Sequence, residues 1–241
     1  MAASHYLEGH LGLNIARGLV KGADFVHKFG AVPAMSQNQT GTIWDKNDTS
    51  YPWSAFDTAG ILVAAQANVS DNGKTVTVLG LDADYLPISE EFTLSGTATV
   101  NGTKIFKRVY RAYMTDGSNV GNVSFSRGGT EVLRITAGKS QTLMAIYTIP
   151  AGYTAYMMKV TGTCQSGADA TGDMFIRYYG QSSFRVGHSF EVAGVGGQYL
   201  YEFASPISIP EKSDIDIRAT VRSNNARVTA AFDIILIESG S

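Results

Sequence analysis

Two pairs of carboxylates are the first residues of this chain whose type and spacing invite chemistry. Asp82 and Asp84 stand two apart in "GLDADYLPISEEFTLSGT" (80–97), with Glu90 and Glu91 downstream. A calcium loop of the EF-hand kind beginning at Asp82 needs oxygen ligands at its third, fifth and twelfth positions and Gly at its sixth. Asp84 meets the third, but Leu86, Pro87 and Thr93 occupy the others, so that site is excluded. The second pair, Asp214 and Asp216, shares one face of "SDIDIRATVR" about 6.6–7 Å apart by strand rise. That lies within the roughly 5–9.5 Å that separates glycosidase carboxylates. Arg218 follows on the same face, and a solvated, charge-balanced row is the better expectation.

Other motifs fail on spacing too. "AGKS" and "NGKT" resemble the end of a phosphate-binding loop, which needs Gly five residues before its Gly-Lys pair. Leu133 and Asn68 stand there instead. His5, His10, His27 and His188 have no second ligand at metal spacing. No G-x-S-x-G elbow occurs. Cys164 is the one cysteine, so no internal disulfide forms, and a small buried residue is expected. No catalytic, cofactor or metal residues are therefore assigned. Tyr199 and Tyr201 (with Phe203) share a strand face and are the candidates for stacking a sugar ring, against the alternative of a buried face.

The elements around these residues are strands. "KTVTV" and "EEFTLS" alternate on either side of a Gly, Asp and Pro-containing turn, which predicts a hairpin over 75–97. The same alternation recurs from residue 59 to residue 238, with strands expected near 59–67, 74–80, 89–96, 104–114, 120–126, 131–136, 141–149, 153–164, 172–180, 184–192, 198–208, 213–222 and 227–238. "ITAGKS", "IPAGYT" and "IPEKSD" are similar turns. "SDIDIRATVR" is expected to pair across "SNNA" with "RVTAAFDIILIE", whose end is apolar on both faces. Such a strand is covered on both sides or meets another subunit.

The chain has 241 residues, 44% apolar and 17% charged, with a net charge of -2. It holds a full core without staples, and no run of Lys or Arg points to nucleic acid. No apolar run is long enough to span a membrane. The start, "MAASHYLEGHLG", lacks the pattern of a secretion signal. Residues 1–58 read differently from the rest. Gly12, Gly18 and Gly22 interrupt any long helix, and a turn-rich stretch carries Trp44, Tyr51 and Trp53. The expected architecture is all-β: a β-sandwich or jelly-roll-like body over 59–241, in one or two subdomains, behind an irregular N-terminal arm over 1–58. Phe25, Phe29, Trp44, Tyr51 and Trp53 are the expected assembly contacts, and the body is expected to stay folded when the arm is removed.

The sequence resembles β-rich virion structural proteins of tailed bacteriophages, particularly those of marine bacteria. The likeness rests on the order of "HKFGAVP" (27–33), "IWD…YPW" (43–53), "TVTVLGLDADYLPISEEFTLSGT" (75–97), "KRVYRAY" (107–113), "NVGNVSF" (119–125), "QTLMAIYTIPAGYTAYM" (141–157) and "IPEKSDIDIRA" (209–219). The resemblance implies a non-enzymatic copy in a particle, on the capsid exterior as a decoration, cement or head-fibre protein, or in the tail. Its implied partners are further copies of itself and major capsid or tail proteins, without nucleic acid, membrane or cofactor. A carbohydrate-binding module that reads host glycans is the alternative.

Overall fold

Each strand expected from residue 59 onward is present in the computed structural model, which describes residues 11–96, 98–194, 197–223 and 225–240. The described residues begin with a six-residue helix, α1 (Leu11–Ala16), then β1 (Ala23–Met35) and β2 (Thr40–Thr42). A middle set follows: β3 (Val63–Gln66), β4 (Thr75–Leu81), β5 (Pro87–Thr93), β6 (Val100–Asn101), β7 (Arg108–Met114), β8 (Val123–Arg127) and β9 (Thr130–Ile135). The last set is β10 (Ile146–Thr148), β11 (Tyr153–Cys164), β12 (Ala170–Arg177), β13 (Arg185–Val192), β14 (Gln198–Ile209), β15 (Asp214–Val221) and β16 (Ala226–Glu238).

The first and last sets build one sandwich. One sheet runs β1-β16-β11-β14, and the other runs β10-β15-β12-β13 with β2 also on β15. β10 pairs with residues 214–216 of β15 and β2 with residues 218–220, so together they form one broken edge strand. Counting that edge as a single position, the eight strands take the chain order 1-8-3-6 in one sheet and 2-7-4-5 in the other. This is the double wrap of a jelly roll. Period-two alternation supplies its core. Ile215, Ile217, Ala219 and Val221 of β15 face Val228, Ala230, Phe232, Ile234 and Leu236 of β16 within one buried cluster.

The middle set forms a second sandwich, inserted between the two halves of the broken edge strand. Its sheets are β6-β3-β8-β9 and β5-β4-β7. Its core holds Leu62, Phe92, Phe106, Phe125 and Leu133. The hairpin expected over 75–97 is β4–β5, in register from Thr75↔Thr93 to Leu81↔Pro87. Asp82 makes the turn, not a metal site: its Oδ1 accepts the amides of Asp84 and Leu86, both at 2.9 Å.

Three expectations are corrected. The leader is not irregular throughout: β1 pairs along β16 from Ala23↔Ile237 to Met35↔Ala226. β15 and β16 are not a hairpin, because they lie in opposite sheets and face each other across the core; Asn224 of the connecting "SNNA" lies outside the described residues. No core is divided at residue 58, since Trp44, Tyr51, Trp53 and Phe56 share the second core with residues as far as Ile146.

Candidate functional site

Asp214 and Asp216 do share one face of β15, but that face is not solvated. The two residues are 2% and 0% exposed, because the inserted sandwich lies over this side of the sheet. A buried carboxylate needs partners, and both have them. Asp214 accepts from Arg108 (Nε at 2.8 Å, Nη2 at 3.1 Å), from Arg177 (Nε at 3.0 Å, Nη2 at 2.6 Å) and from Thr148 Oγ1 at 2.6 Å. Asp216 accepts from Thr42 Oγ1 at 2.8 Å, Trp53 Nε1 at 3.0 Å and Arg218 Nε at 2.9 Å. These are charge-assisted bonds, shorter and stronger than neutral ones. With their lone pairs committed to protein donors, the two carboxylates act as a seam between the sandwiches.

The aromatics of the leader complete that seam. Trp44, Tyr51 and Trp53 are 1%, 3% and 6% exposed, packed edge to face at 5.2 and 4.9 Å between centroids. The guanidinium groups of Arg108 and Arg177 lie 5.7 and 5.5 Å from the Trp53 ring, within cation–π range. These three aromatics therefore pack within the chain, between its own two halves, and expose almost no surface. Burial opposes the charge on Arg108, but the bonds and charge of Asp214 more than offset it and hold its pKa above the usual value.

Beside the seam an open cleft of about 460 Å³ lies between the sandwiches. Phe56, Lys107 and Arg108 come from the inserted side, Tyr85 from its hairpin turn, and Arg177, Tyr179 and Lys212 from the jelly roll. Asp214 forms part of its wall and Asp57 is the other lining carboxylate. Tyr85 and Tyr179 meet edge to face at 5.8 Å, and Tyr179 is 61% exposed. Burial, then the nearby Arg108 charge, lowers the Lys107 pKa. Sequence reading missed every cation here. Their one sequence signal is basic residues inside alternating strands, as in "KRVYRAY", and nothing in the linear order links that strand to "IPEKSD".

Tyr199 and Tyr201 lie elsewhere, where β13 and β14 edge the jelly roll. Their rings are nearly parallel, 8° apart with centroids at 6.4 Å. His188 Nε2 sits 2.7 Å from Tyr199 Oη, and its ring is 4.8 Å from that of Tyr201. Tyr199 and Phe203 pack partly on the first core, whereas Tyr201 is 43% exposed. Burial lowers the His188 pKa; burial, then Tyr201, raises that of Tyr199.

Phe25 and Phe29 sit on the outer face of the β1-β16-β11-β14 sheet. Phe25 is exposed and Phe29 half-buried. A groove there is lined by Leu11, Phe25, Met158, Phe203 and Ile235, with Lys159, Glu202 and Asp233 among them. Asp233 bridges His27 Nδ1 at 2.5 Å and Lys159 Nζ at 2.8 Å. Among the described residues no group of three or more His, Cys, Asp or Glu is placed to hold a metal ion, and no helix is long and apolar enough to cross a membrane.

No family model matches the chain, and no curated protein matches it. Among solved structures it is similar to a chain of the naturally occurring empty particles of cowpea mosaic virus, at 7% identity and a TM-score of 0.24, over 76% of this chain and 85% of that one. It is also similar to the VP2 subviral particle of infectious bursal disease virus, at 7% identity and a TM-score of 0.24, over 98% and 79%. An insecticidal delta-endotoxin of Bacillus thuringiensis is similar at 8% identity and a TM-score of 0.21, over 76% and 53%. Superpositions this loose define neither a family nor a function for this chain.

Proposed function

We propose that this protein is a non-enzymatic structural component of a virus particle, of the tailed-phage kind its sequence resembles. In this reading it associates with further copies of itself and docks on capsid or tail proteins in the virion. The jelly roll leaves its outer sheet face incompletely covered, and that observation carries the reading. Leu11 and Phe25 are 60% and 38% exposed on that face, with Met158 and Ile235 in the same groove. Exposed apolar groups that adjoin one another in a groove are what a contact surface presents. The chain's low charge fits close packing among neighbours.

Leu11→Glu together with Phe25→Glu tests it. Both side chains already meet water, so the melting temperature is expected to change little, while self-association in solution and incorporation into particles are lost. A wild-type chain that stays monomeric at high concentration and is missing from purified particles sinks the proposal. Copy number per particle, from mass spectrometry, separates a shell position from a tail position.

A second reading, a host-glycan module, draws on the parallel rings of Tyr199 and Tyr201. A glycan array followed by Tyr201→Ala and Tyr199→Ala decides it. Binding that neither substitution weakens removes these residues from the site.

A further inference from the structure

We propose that the cleft between the two sandwiches binds an acidic saccharide, a site separate from both surfaces above. Its charge is unbalanced: Lys107, Arg108, Arg177 and Lys212 face Asp57 and Asp214. Asp214 is consumed by the two arginines and Thr148, so it offers little to a ligand hydroxyl. Lys107 Nζ donates to the Asp57 carbonyl at 2.8 Å and lies within the field of the Asp57 and Asp214 carboxylates, without a direct ion pair among the described residues. Lys212 Nζ has no hydrogen-bond or ion-pair partner among the described residues; it lies 5.2 Å from the Tyr179 ring centre. Four cations against two carboxylates thus leave the cavity two charges positive, with Lys212 unpaired among the described residues, and a ligand bearing a negative group supplies the balance.

The other walls give the ligand its class. Tyr179, 61% exposed, presents its ring at the cleft wall and is backed edge to face by the buried Tyr85. Tyrosine combines an apolar face with a polar tip, which suits a sugar ring with its apolar face and hydroxyl rim. Ser54, Gln181 and Ser182 add neutral hydrogen-bonding groups to the lining. The volume, about 460 Å³, falls in the usual range for small-molecule pockets, roughly 300–1,000 Å³.

Lys212 also allows a clean test. Its backbone is left-handed, with φ at 59°, a conformation that Gly adopts without strain. Lys212→Gly therefore removes a cleft cation while the fold holds or gains stability, so a loss of binding is not a loss of structure.

The experiment titrates the full chain with a galacturonic acid trimer, maltotriose and inorganic phosphate, by calorimetry at low and high salt. The trimer is expected to bind, maltotriose not to bind, and phosphate to bind more weakly than the trimer. Salt should weaken the trimer. Lys212→Gly, and separately Lys107→Met, should each weaken it about tenfold or more. No heat or saturation with the trimer at millimolar concentration overturns the proposal, as does equal binding of maltotriose. Phosphate that binds as tightly as the trimer overturns the saccharide assignment. Trimer affinity unchanged in both lysine variants places it somewhere other than this cleft.

Discussion

Lys28 and Asp45 are buried titratable groups whose pH signatures oppose each other. Lys28 is on β1, 7% exposed, and donates through Nζ to the carbonyl of Tyr110 on β7. Burial, then the charge of Arg111, lowers its pKa from 10.5 to about 7. Between those values the unfolded chain holds a proton that the fold does not, so stability rises with pH across that window. Asp45 accepts from the Leu143 amide and from Thr136 Oγ1, and burial raises its pKa from 3.8 to about 7. There the fold holds the extra proton, so stability falls as pH rises from 3.8 to about 7. The two contributions together are least favourable near neutrality. Urea midpoints measured across the acid-to-alkaline range should show Lys28→Met flattening the alkaline arm and Asp45→Asn the acid arm. An unchanged pH profile in either variant removes that group from the account. Neither signature was legible in the sequence, where both residues sit in a stretch rich in turn formers and glycine. Tyr199 and Tyr201 were legible as a shared face, because strand periodicity alone sets which side chains point together.

At the scale of elements, the sharpest constraint is the crossing of β1 over the neck of the insertion. A Cβ at Gly30 would collide with the carbonyl oxygen of Ile43 and the amide nitrogen of Ala145. Those two atoms are bonded to each other at 2.9 Å, and both chain segments continue along β15 through Ile217. Backbone cannot step aside as a side chain can, so Gly30→Ala should cost about 3 kcal/mol or more. A denaturation midpoint equal to wild type would show the neck to be soft. This Gly, with Pro33, also concealed β1 from pattern reading, since both depart from strand composition. The same strand decides the fate of a truncation. Deleting residues 1–58 removes β1, β2 and Trp53, and the remainder should unfold, lacking one of the two sheet partners of β16 and the Trp53 donor to Asp216; a cooperative melt of residues 59–241 would contradict this.

At the scale of the whole molecule, the insertion leaves and re-enters the jelly roll at one point. Ile43 and Ala145 are hydrogen-bonded neighbours, so a short turn can join them. We propose that the two sandwiches are separable domains, one inserted in the other. A chain in which residues 44–144 are replaced by a Gly-rich turn should fold, with Asp214 and Asp216 then solvated beside Arg177 and Arg218. Dispersed amide resonances and a cooperative melt are the expected outcome. An aggregated or molten product would show that the buried carboxylates and Trp53 bind the sandwiches into one folding unit.

The sequence by itself determined that this chain is strands joined by tight turns, and where from residue 59 onward those strands lie. Alternation and turn chemistry are local, acting over a few neighbouring residues. Only the tertiary structure decided which strands pair, that Asp214 and Asp216 are sealed and not solvated, that Trp44, Tyr51 and Trp53 point inward, and that Lys107 and Lys212 share a cleft. Those outcomes follow from which sheet face another element covers. Coverage is set by contacts between segments far apart in the chain, and no local period carries it.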